Sequence, residues 1–505
     1  MGFYSTIKSK LAERKSAAHV QKALRMIECN YKVFKKLRKK ALAESDENRR
    51  IKKIRKAATW AVTNHTGLFS CNQLEEALCK IAQAHSIPLK EAQKGAVLHI
   101  LTTGYKTGGH TRVADKWIAF APEGETHSLA LIDQKMDDEP EFLYETTLEN
   151  GGNVYHLDKK ASYLEKALEL RKLASGYEKV VLHVHMNDPV PILAFGTEEF
   201  KSPIIFYNHA DHVFWLGVSV ADVVVDLTSE GALFSHTRRG VKNTTILPVP
   251  ISSEQFSKEQ DKPTAHRVLG LPADKKIMLS IGGSWRFVPS GEFNFPQYCT
   301  ELLQQNNSLM VVIVGVDATD PHWKKTAKKF TSERLFLAGR VTDRTRYQNY
   351  ITAADFYIES LPAGAEITTL EVGLHGVPVY ILNQGANRAE VFNTIYAQSY
   401  TELKTMVNNY LKDGNPPKAQ KAFQKQVAKV HSEKAFKANI ARTHKNAPET
   451  HKVTTGFEAP YVITSYDTYL YRVTKGMHKT QGLWRGIRRL EKWGRKLWKH
   501  YCRKA

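Results

Sequence analysis

The chain has 505 residues, 42% of them hydrophobic and 25% charged, the proportions of a globular protein with sizeable cores and room for two or three domains. These figures exclude disorder over most of the length, and no apolar run reaches the roughly 18 residues that a membrane-spanning helix needs. The net charge is +22, and it is unevenly placed: residues 1–60 hold 18 Lys and Arg against five Asp and Glu, and residues 472–505 hold 12 against one. The long middle is therefore close to neutral, and both ends suit an anionic surface, either membrane or nucleic acid.

The start, MGFYSTIKSK, has charge but no apolar stretch behind it, so no secretory signal is expected. Five scattered cysteines (Cys29, Cys71, Cys79, Cys299, Cys502) form no CxxC pair and no Cys/His cluster. They fit a reducing compartment and speak against a disulfide framework or a structural zinc site. A cytoplasmic protein, soluble or peripheral, is expected.

Along the chain, residues 1–60 read as helix, with Val20, Leu24, Ile27, Tyr31, Phe34 and Ala41 at three- and four-residue steps. Helical patterning continues through 64–84, making 1–94 a basic helical extension. Short β-rich runs follow at 97–102, 128–132, 180–185, 203–207 and 222–226, each trailed by a loop and an amphipathic stretch. A polar, proline-containing linker occupies 251–276. A second series then runs through 277–281, 309–315, 335–338, 354–358 and 377–382. Apolar runs of this length alternating with helices predict parallel sheets covered on both faces. The expectation is two Rossmann-like domains, 95–250 and 277–450, facing a cleft, with a return segment and C-terminal helix in 451–505. Ligands in such sheets bind beyond the carboxyl ends of the strands, so the loops there are the places to search.

Four loops carry candidate chemistry. After the first strand, TGYKTGGHTR (103–112) brings Gly104, Gly108 and Gly109 ahead of His110 and Arg112, a loop that lets backbone approach a ligand. It is not GxGxxG, so a dinucleotide fingerprint is not supported. Next, VLHVHMNDP and YNHADH end adjacent strands with His183, His185, Asp188, His209, Asp211 and His212. Period-two alternation puts His183 and His185 on one face. Histidine beside aspartate is how an imidazole is oriented to take a proton near neutral pH, which selects His209 and Asp211 as the catalytic pair. HxH and HxDH are also ligand-like spacings, but no further Cys or Glu cluster supports a metal, and none is expected.

The third loop is IGGSWRFVP, where Gly282, Gly283 and Ser284 offer backbone donors to phosphate and Arg286 supplies charge. The fourth is ESLPAGAEITTLEVGLHGVPVY (359–380). A helix starting near Ile367, with Thr368 and Thr369 in its first turn, can hold a diphosphate, and Glu371 can reach a ribose diol.

AEITTLEVGLHGVPVY resembles the nucleotide-sugar segment of GT-B-fold glycosyltransferases. LHVHMNDP and IIFYNHADH are similar to the acceptor-side strand ends of that fold, and TTGYKTGGHTRV to its N-terminal glycine loop; the resemblance spans about residues 95–415. It implies a nucleotide-sugar glycosyltransferase in which Glu371 binds the donor ribose, Thr368 and Thr369 the diphosphate, and Arg286 the phosphates, with Gly364 and Gly283 in the same donor loops. Gly108, Gly109, His110, Arg112 and His185 fall to the acceptor side. The donor would be UDP- or GDP-linked. Two departures stand out: Ala363 occupies the position of the first acid of an E-x7-E motif, and Gly283 stands where many members have arginine. Retention and inversion both stay open.

Residues 483–502, LWRGIRRLEKWGRKLWKHYC, divide into an apolar half with Trp484, Trp493 and Trp498 and a cationic half with Arg488, Arg489 and Lys496 when wound as a helix. That is the pattern of a helix lying in an anionic bilayer surface. The combined expectation is glycosyl transfer to an envelope glycan or lipid-linked acceptor at the cytoplasmic membrane face. The alternative is a non-catalytic GT-B-like binding protein, or a nucleic-acid binder using its basic ends. No RRM or KH signature is present, and no nucleic-acid partner is expected.

Overall fold

The computed structural model describes residues 2–106, 109–135, 138–251, 261–290, 293–383, 390–393, 395–416 and 418–480. The membrane-surface candidates Trp484, Arg488, Arg489, Trp493, Lys496 and Trp498, and the loop glycine Gly108, lie outside them. No described helix is long and apolar enough to cross a membrane. The chain forms two compact units. Among the described residues, the first comprises Met26–Pro250 and Glu433–Ile463; the second comprises Ile251–Ser432, the helix Ser465–Thr480 with the residue before it, and the first helix up to Arg25.

The first unit is built on a parallel sheet of seven strands: β1 (Gln93–Leu101), β2 (Thr126–Leu131), β3 (Val154–His156), β4 (Tyr177–His183), β5 (Ile204–Tyr207), β6 (Val223–Asp226) and β7 (Thr244–Ile246). Their spatial order is β3-β2-β1-β4-β5-β6-β7. Central strands such as IIFY and VVVD are buried on both faces, because helices cover both sides of the sheet. The strand order reverses direction between β1 and β4, which opens a crevice at their carboxyl ends.

The N-terminal helices are part of this unit's core. The first, Gly2–Leu42, breaks before Asp46, whose carboxylate caps the second, Glu47–Thr63, by accepting from Arg49 N at 2.8 Å. Phe34, Leu37, Ile51, Ile54 and Ala57 are fully or nearly fully buried, in one cluster with Leu98, Ile100 and Leu182 of the sheet. The helix Glu433–Asn446 joins the same unit: Phe436 and Ile440 share a cluster with Val97, Val181 and Val225.

The second unit carries β8 (Lys276–Ile281), β9 (Leu309–Val314), β10 (Leu335–Leu337), β11 (Phe356–Ile358), β12 (Val379–Leu382) and β13 (Tyr396–Ala397), ordered β10-β9-β8-β11-β12-β13 and parallel throughout. Here the reversal falls between β8 and β11. The helix Ser465–Thr480 lies against the short 3-10 turn Ser284–Phe287 that follows β8.

Candidate functional site

The loops singled out in the sequence follow the strands on either side of each reversal point, or the strand next to them. In the first unit these are the loops after β1, β4 and β5; in the second, the loops after β8 and β11.

The β1 loop of the first unit must be small at its start. A Cβ on Gly104 would sit 2.6 Å from the Pro140 ring, while Gly104 N donates to Gln134 Oε1 at 2.8 Å. The helix Gly109–Ala119 begins directly after, presenting His110. The His110 ring stacks on His209 with centroids 4.9 Å apart and lies 6.4 Å from His185, which meets the Tyr105 hydroxyl at 3.1 Å. Three elements thus converge one imidazole each. Burial pushes the His110 and His185 pKa values down to about 4 and holds His209 well below the usual range. Burial thus favours the neutral imidazole at all three positions and weakens each as a base. His209 Nδ1 is sealed from solvent with no hydrogen-bond partner.

Several candidates sit differently from their expected roles. β4 ends at His183, so His185 lies past the strand and the alternation rule no longer governs it. His183 turns into the core to meet His99, while His185 stays half-buried beside Tyr105. The Asp211 carboxylate goes to His212, at 3.4 Å, and not to His209. Arg112 is exposed and lies over the Phe142 ring, 3.6 Å from its centroid.

Other residues complete the strand ends without a clear sequence signal. Thr102 donates to the buried Asp188 carboxylate at 2.6 Å and accepts from His185 N at 2.9 Å, which fixes the backbone under His185. Arg55, from the second helix, lies over the Tyr163 ring and lines a recess with Lys166, His185 and Asn187. A basic helical run hides one functional-looking arginine among many.

In the second unit, the β8 and β9 loops touch. Gly315 has φ +100°, and a Cβ there would lie 2.4 Å from Gly282 O, so position 315 needs glycine. Gly283 is exposed beside Trp285, over whose ring the Arg286 guanidinium lies at 4.3 Å. That guanidinium also donates to Gly364 O, tying the β8 turn to the β11 loop.

The buried Glu359 carboxylate organises the β11 loop. It accepts from Ala365 N and from the Thr369 hydroxyl, each at 3.0 Å, and a Cβ on Gly364 would come within 2.8 Å of it. Thr369 is fully buried and faces inward to Glu359, so its hydroxyl is not presented to a ligand, whereas Thr368 stays half-exposed. Glu371 accepts from the Tyr347 hydroxyl at 2.7 Å and lies 3.6 Å from Arg344, which fixes its carboxylate on the helix Glu366–Leu374. Tyr347 and Arg344 lie outside the 359–380 segment, and Glu359, its first residue, has no role assigned from the sequence.

No family model and no curated protein matches the chain. Solved structures do. A glycosyltransferase from Rickettsia africae superposes with TM-score 0.53 at 11% identity, covering 70% of this chain and 98% of that one. Anabaena HepE in complex with UDP gives 0.51 at 13% identity, covering 69% and 99%, and HepE with UDP and glucose gives 0.50 at the same identity and coverage. At such identities the likeness is one of fold: this chain has the GT-B fold, two Rossmann-like units in succession.

Proposed function

We propose that this protein is a nucleotide-sugar-dependent glycosyltransferase. The observation that carries the proposal is the placement of the polar loops, which in both sheets follow strands at the point where strand order reverses. Fold alone would not separate a transferase from a binding module. In this reading the second unit takes the donor, with the ribose diol on Glu371 and the diphosphate near Thr368, Gly283 and Arg286. HepE was solved with UDP, which makes UDP the first nucleotide to try. The first unit takes the acceptor, whose hydroxyl loses its proton to the strand-end group around His209 and Asp211 as the sugar–phosphate bond breaks. No metal is invoked.

The finer part of the proposal is location. The basic, tryptophan-bearing segment 483–502 holds the protein on the inner face of the cell membrane, and the acceptor is an envelope glycan or lipid-linked. Each basic group near an anionic surface contributes about 1 kcal/mol.

Thermal unfolding of the purified chain with UDP and GDP tests the donor assignment. Saturating nucleotide should raise Tm by several degrees, since ligand at about 100 times its Kd stabilises by roughly 2.7 kcal/mol. A UDP-sugar panel with membrane extract then tests transfer. If neither nucleotide raises Tm, the donor site is not where we place it and the transferase reading fails.

A further inference from the structure

Three histidines lie on the central strands of the first unit's sheet, where apolar side chains would be expected. His99 (β1), His127 (β2) and His183 (β4) are fully buried, and each must find partners for both ring nitrogens. They find one another. His127 Nε2 meets Glu125 Oε2 at 3.1 Å, His127 Nδ1 meets His99 Nε2 at 2.8 Å, and His99 Nδ1 meets His183 Nε2 at 3.0 Å. The fourth link, His183 Nδ1, is buried with no partner.

The position of every proton follows from the two ends. Trp117 Nε1 can only donate, and it meets His444 Nε2 at 3.0 Å. His444 therefore carries its proton on Nδ1, 2.6 Å from Glu125 Oε2. Glu125, His127 and His444 bring ligand-type atoms within 4.8 Å of one another, but the nitrogen a cation would need from His444 is already protonated. Burial alone would raise the Glu125 pKa; the hydrogen bonds from His127 and His444 outweigh it and hold the carboxylate ionised. As an ionised acceptor it requires Nε2–H on His127, which requires Nε2–H on His99, and then Nε2–H on His183. A bare lone pair is left at His183 Nδ1.

We propose that His183, His99, His127 and Glu125 form a proton relay along the sheet, leading from the histidines at the carboxyl ends of its strands to the amino end of β2. A proton arriving at His183 Nδ1 releases the Nε2 proton of His183 to His99 Nδ1. His99 passes its Nε2 proton to His127 Nδ1, and His127 passes its own to Glu125. Three neutral imidazoles exchange tautomer, and one carboxylate becomes a carboxylic acid. No charge is left in the core. The entry end lies near the acceptor-side group: the Tyr207 ring centroid is 5.4 Å from that of His183 and 6.2 Å from that of His209. At the exit end, Glu125 keeps 13% of its side chain exposed and faces Lys179 at 3.6 Å, itself paired with Glu178. That a transferred proton enters here rests on the function proposed above; the relay itself does not. These are positioning residues, acting through the groups at the strand ends.

Glu125→Gln is the informative variant, because the amide oxygen can accept both histidine N–H bonds but cannot take up the proton. Imidazole 15N spectra of the full chain should show Nε2–H on His183, His99 and His127 and Nδ1–H on His444 at pH 7. On acidification the first three should change tautomer at one shared midpoint, and that shared transition should vanish in Glu125→Gln and in His99→Phe. Three unrelated midpoints, or a shared transition that survives Glu125→Gln, overturn the relay. With UDP-glucose and water as acceptor, each variant should lower kcat by on the order of a hundredfold at unchanged KM, and the double variant should lower it no further. Hydrolysis absent from the wild type would count against the transferase reading and leave the spectra to decide the relay.

Discussion

Glu371 is the residue on which the donor assignment turns. Its carboxylate is already oriented by Tyr347 and Arg344, so Glu371→Gln removes charge and one acceptor without disturbing the helix. The expected outcome is weaker UDP binding by about 1–3 kcal/mol in isothermal titration, with Tm unchanged; equal affinity would remove Glu371 from the site. The histidines make a second prediction. Burial depresses His110 and His185 to about 4 and His183 to about 3, against about 6.5 in the unfolded chain. The unfolded state therefore takes up protons that the folded state refuses, and this contribution is complete above about pH 6.5 and lost as pH falls towards 4. Glu75 and Asp226, raised by burial to about 7 and about 6, act in the opposite direction, but the depressed histidines outnumber them. Tm should fall between pH 6.5 and 4.5; a flat profile would contradict the buried neutral imidazoles. Residue types at strand ends were legible in the sequence because chemistry-bearing side chains there interrupt apolar runs. Their partners were not. Nothing local in the chain links Asp211 to His212 in preference to His209, or turns Thr369 towards Glu359.

At the scale of elements, the long apolar runs could be read directly: 309–315 contains β9 and 277–281 covers β8 but for Lys276, because strands buried on both faces leave a continuous signature. β3, β7 and β13 were missed. They have two or three residues each, and VYH and TTI are only half-buried or exposed, so no run marks them. The helical N-terminus was also legible, but its burial was not, since helix periodicity does not say what the apolar stripe packs against. Arg171 shows what does. Fully buried, it donates to Ala82 O at 2.9 Å, His85 O at 2.5 Å, Leu193 O at 2.8 Å and Ala194 O at 2.6 Å, clamping the ends of two neighbouring helices. Arg171→Met should cost at least ~3 kcal/mol in chemical denaturation, because several buried carbonyls lose a charged donor together. Arg171→Lys should recover only part of the loss, since one ammonium cannot reproduce the guanidinium fork. Full recovery by lysine would show that charge, not geometry, matters there.

For the whole molecule, the test of location is truncation after Thr480. The shortened chain keeps the helix Ser465–Thr480, with Leu470 and Val473 buried, and every described strand. It should therefore keep its Tm and its nucleotide affinity while no longer sedimenting with anionic vesicles. For the full chain, binding should weaken with salt as charges are screened over about 8–10 Å, with a remainder from the tryptophan face. Equal sedimentation of both chains would refute the membrane role. RNA competing for the tail in place of vesicles would favour the nucleic-acid alternative.

The helix Glu433–Asn446 belongs to the first unit, yet about 180 residues of the second unit separate it from Pro250. It brings Phe436 and Ile440 to the core and His444 to Glu125 and Trp117. On the ribosome, at ~5–20 residues per second, the first sheet is complete roughly 10–40 s before this helix exists. For that interval the apolar face that Phe436 and Ile440 will cover stays open, and Glu125 holds one histidine fewer. The nascent first unit therefore passes through a stage in which it is exposed to chaperones and proteases, and it leaves that stage only after residues 251–432 of the second unit have been made.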